Sequence, residues 1–288
     1  MWLADNWEDY ELLDTGSGER LERWGKYILR RPDPQVIWPF INSGAPWDRA
    51  DGHYHRSSSG GGNWEIRGQL PERWVVRYKS LSFYIHPTGF KHTGIFPEQA
   101  VNWDWLSQKI RSRSGSPVRI LNLFAYTGAA TVAAAAAGAE VCHVDAAKGM
   151  VTWAKENLVL SGLGDRPARF LVDDVIKFVA REQRRGRQYE AVIMDPPSFG
   201  RGPGGEVWKI EERLYDLVAA CTAILSPQPL FFLINSYTTG LAPSVLGNVL
   251  ALTVGKRFGG RLSADEIGLP VSASGIFLPC GASGRWES

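Results

Sequence analysis

Residues 118–146 read VRILNLFAYTGAATVAAAAAGAEVCHVDA. An apolar run at 118–124 gives way to a turn holding one glycine, Gly128, then to an alanine-rich stretch at 128–138, then to a second apolar run that ends on Asp145. Glycine tolerates the left-handed backbone and lets a turn approach another group closely, and a helix of small side chains packs tightly onto a sheet. Strand, turn, helix, strand is the repeating unit of a parallel α/β sheet.

Downstream, the alternation continues. Strand-like runs recur at 168–174, 189–195 and 229–238, with helical stretches at 147–161, 175–185 and 207–225 between them. Strands that are nearly continuous apolar runs belong to a sheet covered on both faces, whose ligands sit at the C-terminal strand ends. RLSADEI (261–267) and SGIFLPC (274–280) read as a closing antiparallel hairpin.

Upstream of residue 95 the texture changes. WEIRGQL (64–70) and RWVVRYKSLSFYIH (73–86) are rich in β-branched and aromatic residues and read as strands in hairpins. The run SSSGGGN (57–63) reads as a flexible linker or loop tip. HYH at 53–55 reads as a plain loop, because two histidines without other placed ligands are no metal site; no metal is expected. IFPEQAVNWDWLSQKI (95–110) starts a helix, with Pro97 pre-set for the first helical position. The expected organisation is a β-rich extension over 1–95, serving as a lid or acceptor platform, and a doubly wound, seven-stranded Rossmann-like α/β domain over 96–288.

Composition narrows the class. With 44% hydrophobic and 22% charged residues the chain is an ordinary globular one. Its three cysteines, Cys142, Cys221 and Cys280, show neither zinc spacing nor a disulfide framework, which suggests a reducing compartment. No apolar stretch reaches the roughly 18 residues of a membrane span, and the acidic, aromatic N-terminus is unlike a signal peptide. A cytoplasmic protein without membrane partners is expected. A net charge of +2 does not by itself argue for nucleic acid, no internal repeat is visible, and the oligomeric state is left open.

Read together, the strand ends point to a ligand class. Asp145 closes the second strand, about twenty residues beyond the glycine turn, where an acid suits two ribose hydroxyls. Asp173 and Asp174 close the third, and one of them suits an adenine amino group. The fourth ends in Asp195, Pro196 and Pro197. Carboxylates on successive strand ends favour a ligand with hydroxyl and amino donors and no phosphate. A dinucleotide site would need the three glycines of G-x-G-x-x-G, and AYTGAATVAA supplies one.

LNLFAYTGAATVAAAAAGAEVCHVDAAKGMVTWAKEN, LVDDV, VIMDPPSFGRG and, upstream, GFKHTGIFPEQ resemble class I S-adenosylmethionine-dependent methyltransferases, in particular bacterial large-subunit ribosomal RNA methyltransferases of the I and K type. The resemblance covers residues 84–280 and is strongest over 120–200. It implies S-adenosylmethionine as cofactor and ribosomal RNA as partner; the alternatives are methyl transfer to a small molecule or protein side chain, or a non-catalytic RNA-binding protein with this fold. It places Asp145 and Asp174, with Asp173 as understudy, on the ribose and adenine, and Tyr126, Thr127 and Gly128 under the methionine portion, with Asn122 and Phe124 beside them. His92 and Gln99 either face the cofactor or merely cap the helix at Pro97. Bland roles also stand open: a helix-start turn for Gly128, a helix N-cap for Asp174 and core packing for Phe199.

Asp195, Pro196 and Pro197 then acquire a task. A proline donates no backbone N–H and fixes φ, so this segment leaves the sheet presenting carbonyls and a carboxylate. Asp195 and the Pro196 carbonyl suit the amino hydrogens of a base whose nitrogen is methylated, and Phe199 offers a face for a flipped-out base. No cysteine lies at the expected edges DPPSF and LINSYTTG, where Asn235, Ser236 and Tyr237 stand. Carbon-5 methylation of cytosine, which needs a cysteine thiolate, is therefore not expected.

Overall fold

The computed structural model describes residues 1–288 except 42–43, 58–60, 90, 116 and 202–206. The serine and glycine run at 58–60 that reads as a linker therefore lies outside the described residues, as do Phe90 of GFKHTG and the centre of GRGPGGE. Two compact units emerge: Met1–Val101 with Ile267–Cys280, and Asn102–Glu266 with Gly281–Ser288.

The first unit is built on antiparallel pairing. Strands β1 (Trp2–Leu3), β2 (Tyr10–Gly16), β3 (Glu19–Trp24), β4 (Tyr27–Pro32), β5 (Gly52–Arg56) and β6 (Gly62–Ile66) are followed by the hairpin β7 (Trp74–Tyr78) and β8 (Leu81–Ile85). The sheet order is β2-β3-β4-β5-β6, with β4 and β5 parallel. The turn at Ser17 and Gly18 has φ of 49° and 82°, matching the twist of the strands it joins. HYH, read as a loop, is in fact the middle of β5: its pairing partner β6 lies beyond the 58–60 segment, so no local pattern announces it.

Charge sits inside this unit. Glu22 is fully buried and receives both prongs of Arg31, at 2.6 and 2.7 Å, together with the Tyr10 hydroxyl at 2.8 Å. Burial alone would raise the Glu22 carboxyl, but Arg20 and Arg31 outweigh it and hold the group at about 2. Paired this way the charges tolerate burial; unpaired, each would cost several kcal/mol.

The second unit is the parallel sheet. Helix α1 (Ala100–Ser112, shared with the first unit at its start) leads to β9 (Arg119–Leu123), α2 (Ala129–Ala136), β10 (Glu140–Asp145), α3 (Lys148–Leu160), β11 (Ala168–Val172), α4 (Val175–Arg184) and β12 (Ala191–Met194). A small hairpin, β13 (Phe199–Arg201) and β14 (Val207–Lys209), precedes α5 (Ile210–Ala223). Then come β15 (Phe231–Ser236), α6 (Pro243–Leu250), β16 (Arg261–Pro270) and β17 (Phe277–Glu287). The helix expected from 207 thus starts three residues later, because Val207, Trp208 and Lys209 pair as a strand.

The order β16-β17-β15-β12-β9-β10-β11 supplies the seven expected strands, and the two-residue β1, too short for any periodicity to reveal, pairs in parallel with β16 inside the first unit. From β9 to β15 the pairs are parallel, and β17 runs antiparallel to β15. Side chains alternate by face. Leu121, Val144, Met194 and Phe232 pack with Phe178 of α4, Leu217 of α5 and Leu250 of α6. On the other face Asn122 and His143 meet Thr131 of α2, and Phe231 meets Trp105 of α1. Both faces are covered, as the unbroken apolar runs require.

Candidate active site

Strand β9 has β10 on one side and β12 on the other, so the chain order reverses there. In open α/β sheets ligands bind beyond the C-terminal strand ends at such a reversal. The turn at 124–128 follows β9 at that end. Phe124 and Tyr126 adopt φ of 52° and 50°, and Gly128 82°. Two non-glycine residues in the left-handed region within three positions is backbone strain held by its surroundings, of the kind that collects at ligand sites.

Those surroundings are visible. The Tyr126 N–H donates to Asp145 Oδ2 at 2.8 Å, and the Ala147 N–H donates to Asp145 Oδ1 at 2.8 Å. Asp145 therefore ties the turn after β9 to the start of α3 while keeping further lone pairs for a ligand. Asn157 of α3 donates to the Thr127 carbonyl at 2.9 Å, and Thr127 is buried. At Gly128 a side chain is excluded twice: the φ disfavours it, and a Cβ would lie 2.7 Å from the Ala154 Cβ.

Below this turn lies a residue that sequence reading passed over. His143 of β10 is fully buried; its Nδ1 is 2.9 Å from the Thr131 hydroxyl, which in turn accepts from Asn122 at 2.9 Å. Its Nε2 has no hydrogen-bond partner, and its Cε1 would lie 3.5 Å from a Cβ on Gly128. Burial pushes the imidazole down to about 3, so it is neutral. Asn122 is thus a buried strut beneath the turn. Its only sequence signal is a polar residue inside an apolar strand, matched by a histidine in the next.

The third strand end is occupied by its own helix. Asp174 caps α4, accepting from the Lys177 N–H at 2.8 Å, and Asp173 is paired with Arg181. The helix-cap role weighed for Asp174 is therefore present. Each carboxylate retains a second oxygen.

After β12, Asp195 is half-buried, Pro196 buried and Pro197 exposed. The Trp208 indole donates to the Pro197 carbonyl at 2.6 Å, and its ring packs against Phe124 at 5.4 Å. Hairpin β13–β14 is thereby clamped over the turn after β9, and Pro197 stiffens the segment. Ser198 and Thr238 share a hydroxyl contact of 2.7 Å, joining it to the end of β15. Phe199 is 54% exposed, which removes the core-packing role. Trp208 went unnoticed because it lies within what reads as a helix start.

Asn235, by contrast, is turned inward. It accepts from Asn102 at 3.0 Å and Ser283 at 2.7 Å, and Arg285 donates to the Asn102 carbonyl oxygen, so this network fastens α1 to β15 and β17. Cys142 and Cys221 are buried within the unit, and burial pushes both thiols up. Gln99 is buried at the end of the short 3-10 turn Pro97–Gln99, and His92 is pushed down to about 3 by burial and then by Arg31; both belong to the first unit.

Known proteins resemble this chain in sequence and fold. A sequence model of the family described as S-adenosylmethionine-dependent methyltransferase matches residues 46–228, more than half of the chain. The SAM-dependent methyltransferase from Agrobacterium tumefaciens has a solved structure with 36% identity and a TM-score of 0.92, covering 98% of this chain and 91% of that one. A methyltransferase solved in complex with SAH shares the fold, with a TM-score of 0.75 at 20% identity over 98% of this chain and 76% of its own. The ribosomal RNA large subunit methyltransferase K/L of Shewanella frigidimarina is 31% identical over 155 residues, 53% of this chain and 21% of its own length. The chain spans about a fifth of the length of the curated relatives of that name. With the family model matching over the strained turn, Asp145 and Asp195, the chain belongs to the S-adenosylmethionine-dependent methyltransferases.

Proposed function

We propose that this chain transfers the methyl group of S-adenosylmethionine to a ring or amino nitrogen of a purine in ribosomal RNA, in the cytoplasm. The observation that carries the reading is the convergence of the strained turn 124–128, Asp145 and the Asp195-Pro196-Pro197 segment on adjacent strand ends. The site suits the cofactor chemically. Asp145 has lone pairs left for ribose hydroxyls, Asp173 and Asp174 each have an oxygen for an amino group, and the turn through Phe124, Tyr126, Thr127 and Gly128, with Asn122 beside it, is assigned to the methionine portion.

Methyl transfer from a sulfonium is an in-line displacement, so the protein's task is to hold the acceptor about 3 Å from the methyl carbon and keep water out. Asp195 and the Pro196 carbonyl take the amino hydrogens of the base, Pro197 keeps the segment rigid through Trp208, and the exposed face of Phe199 receives the flipped-out ring. Protonated thiols at Cys142 and Cys221 support nitrogen over carbon-5 of cytosine as acceptor. The names of the relatives support RNA as substrate.

The test is incubation with methyl-labelled S-adenosylmethionine and unmodified ribosomal RNA, followed by nucleoside mass spectrometry. An N-methylated guanosine or adenosine is expected. A 5-methylcytidine product, or label confined to protein or small molecules, overturns the assignment of acceptor.

A further inference from the structure

His53 and His55 are two positions apart on β5, so strand geometry puts both side chains on one face. Glu65 stands directly opposite His53 on β6, on that same face. The three offer ligand atoms that all lie within 4.8 Å of one another, and among the described residues they form the one such group of histidine, cysteine and acidic side chains. A fourth oxygen is at hand: Glu19 of β3 places Oε1 2.7 Å from His53 Nε2, while Glu65 Oε2 is 2.9 Å from His55 Nε2. The imidazole rings are 3.9 Å apart.

The carboxylates are held from behind. Arg30 binds the other oxygen of Glu19, and Arg67 binds the other oxygen of Glu65 at 2.9 Å. Each acid thus spends one oxygen on an arginine and turns the second toward a histidine, the kind of outer support that orients metal ligands. The cluster is reachable: side-chain exposure rises from 15% at His53 to 45% at His55.

We infer that His53, His55, Glu65 and Glu19 form a binding site for a borderline divalent transition-metal ion, with Zn²⁺ the best match, that pins β6 and β5 to β3. Two imidazoles and two carboxylate oxygens are a tetrahedral donor set for zinc, and imidazole disfavours calcium and magnesium. Bonds of about 2.0–2.2 Å place tetrahedral ligands roughly 3.3–3.5 Å apart. The ligand atoms of His53, His55 and Glu65, now within 4.8 Å of one another, draw in toward that spacing, and Glu19 joins them from its contact with His53. The two carboxylate–imidazole hydrogen bonds are the contacts the ion replaces, with each ring presenting Nε2 and keeping its proton on Nδ1. The sequence shows only two histidines; the strand pairing brings the acids.

The experiment uses the untagged full chain, stripped with chelator, and titrates it with zinc chloride in a calorimeter and with Co²⁺ in a spectrophotometer. One equivalent of Zn²⁺ is expected, along with the intense visible absorption of tetrahedral Co²⁺ and a melting temperature raised by about 5 °C at saturating zinc. Affinity should fall by roughly 100-fold in His55→Gln and in Glu65→Gln. Circular dichroism checks that both variants are folded, and because both residues are about half exposed, folding does not depend on them. No binding, octahedral Co²⁺, or binding unchanged in both variants overturns the site. Should one variant unfold, the other variant and the wild-type Co²⁺ spectrum still decide.

Discussion

Glu22 in the first unit and His143 in the second are both fully buried, and their surroundings settle their charge in opposite ways. Glu22 stays ionised because Arg20 and Arg31 surround it; His143 stays neutral because burial removes it from water, with one nitrogen bonded and the other without a partner. One unit is organised by charge pairs reaching across antiparallel strands. The other is organised by apolar strands and tolerates one strained turn at its edge. In the second unit the carboxylates of Asp145 and Asp174 stand at strand ends and accept from backbone N–H groups rather than from buried arginines.

The largest test of that contrast is Glu22→Gln. It strands two buried guanidinium groups, so about 3–5 kcal/mol of stability should be lost in urea denaturation. A loss below about 1 kcal/mol would place the network with exposed ion pairs and dissolve the distinction. In the second unit the matching blow is Gly128→Val, which forces a side chain into the left-handed region and into Ala154; about 3 kcal/mol is expected. Gly18→Ala, also left-handed but with open space around it, should cost about 1 kcal/mol. Equal costs would mean that packing against α3 contributes nothing.

Acid separates the two buried groups. His143 has its folded value pushed below the usual 6.5, so the stability it supports is full above that value and is lost as pH falls toward about 3. Between pH 6.5 and 5 the loss should be about 2 kcal/mol, flattened in His143→Gln. His92, also pushed down to about 3, adds to the slope in the same window. Glu22, held at about 2 against an ordinary 4.5, costs stability only as pH drops from about 4.5 toward 2. A pH 7 to 5 profile unaffected by His143→Gln would contradict the neutral buried imidazole. The smallest effect belongs to the thiols: Cys142→Ser and Cys221→Ser, if folded, should leave methyl transfer to RNA within a few-fold, and loss of activity in either folded variant would reopen cysteine chemistry.

The second unit was legible because its signals are local. Two apolar runs, one glycine turn and an acid at the end of the second run fall within thirty residues, and 118–146 carries them all. What escaped depends on pairing across distance. β5 meets β6 through 58–60, β1 meets β16 from the far end of the chain, and β13–β14 hides in a stretch that reads as the start of α5. At the site, Asp174 kept two roles because a helix N-cap and an adenine ligand demand the same residue at the same place. Asn122 and His143 were invisible as a pair until the register of β9 and β10 set them side by side. Core packing of Phe199 could be judged only by exposure, which sequence does not carry.

The central claim is that adjacent strand ends divide the work, with Asp145 reading the cofactor and Asp195 holding the acceptor. Calorimetric titration of S-adenosylhomocysteine into the wild type, Asp145→Ala and Asp195→Ala tests it without knowledge of the acceptor. Loss of charge-assisted bonds to ribose of about 2–4 kcal/mol weakens binding by about 30-fold to 1,000-fold in Asp145→Ala, while Asp195→Ala should bind within a few-fold of wild type. Unchanged affinity in folded Asp145→Ala, or equal losses in both variants, would contradict the account.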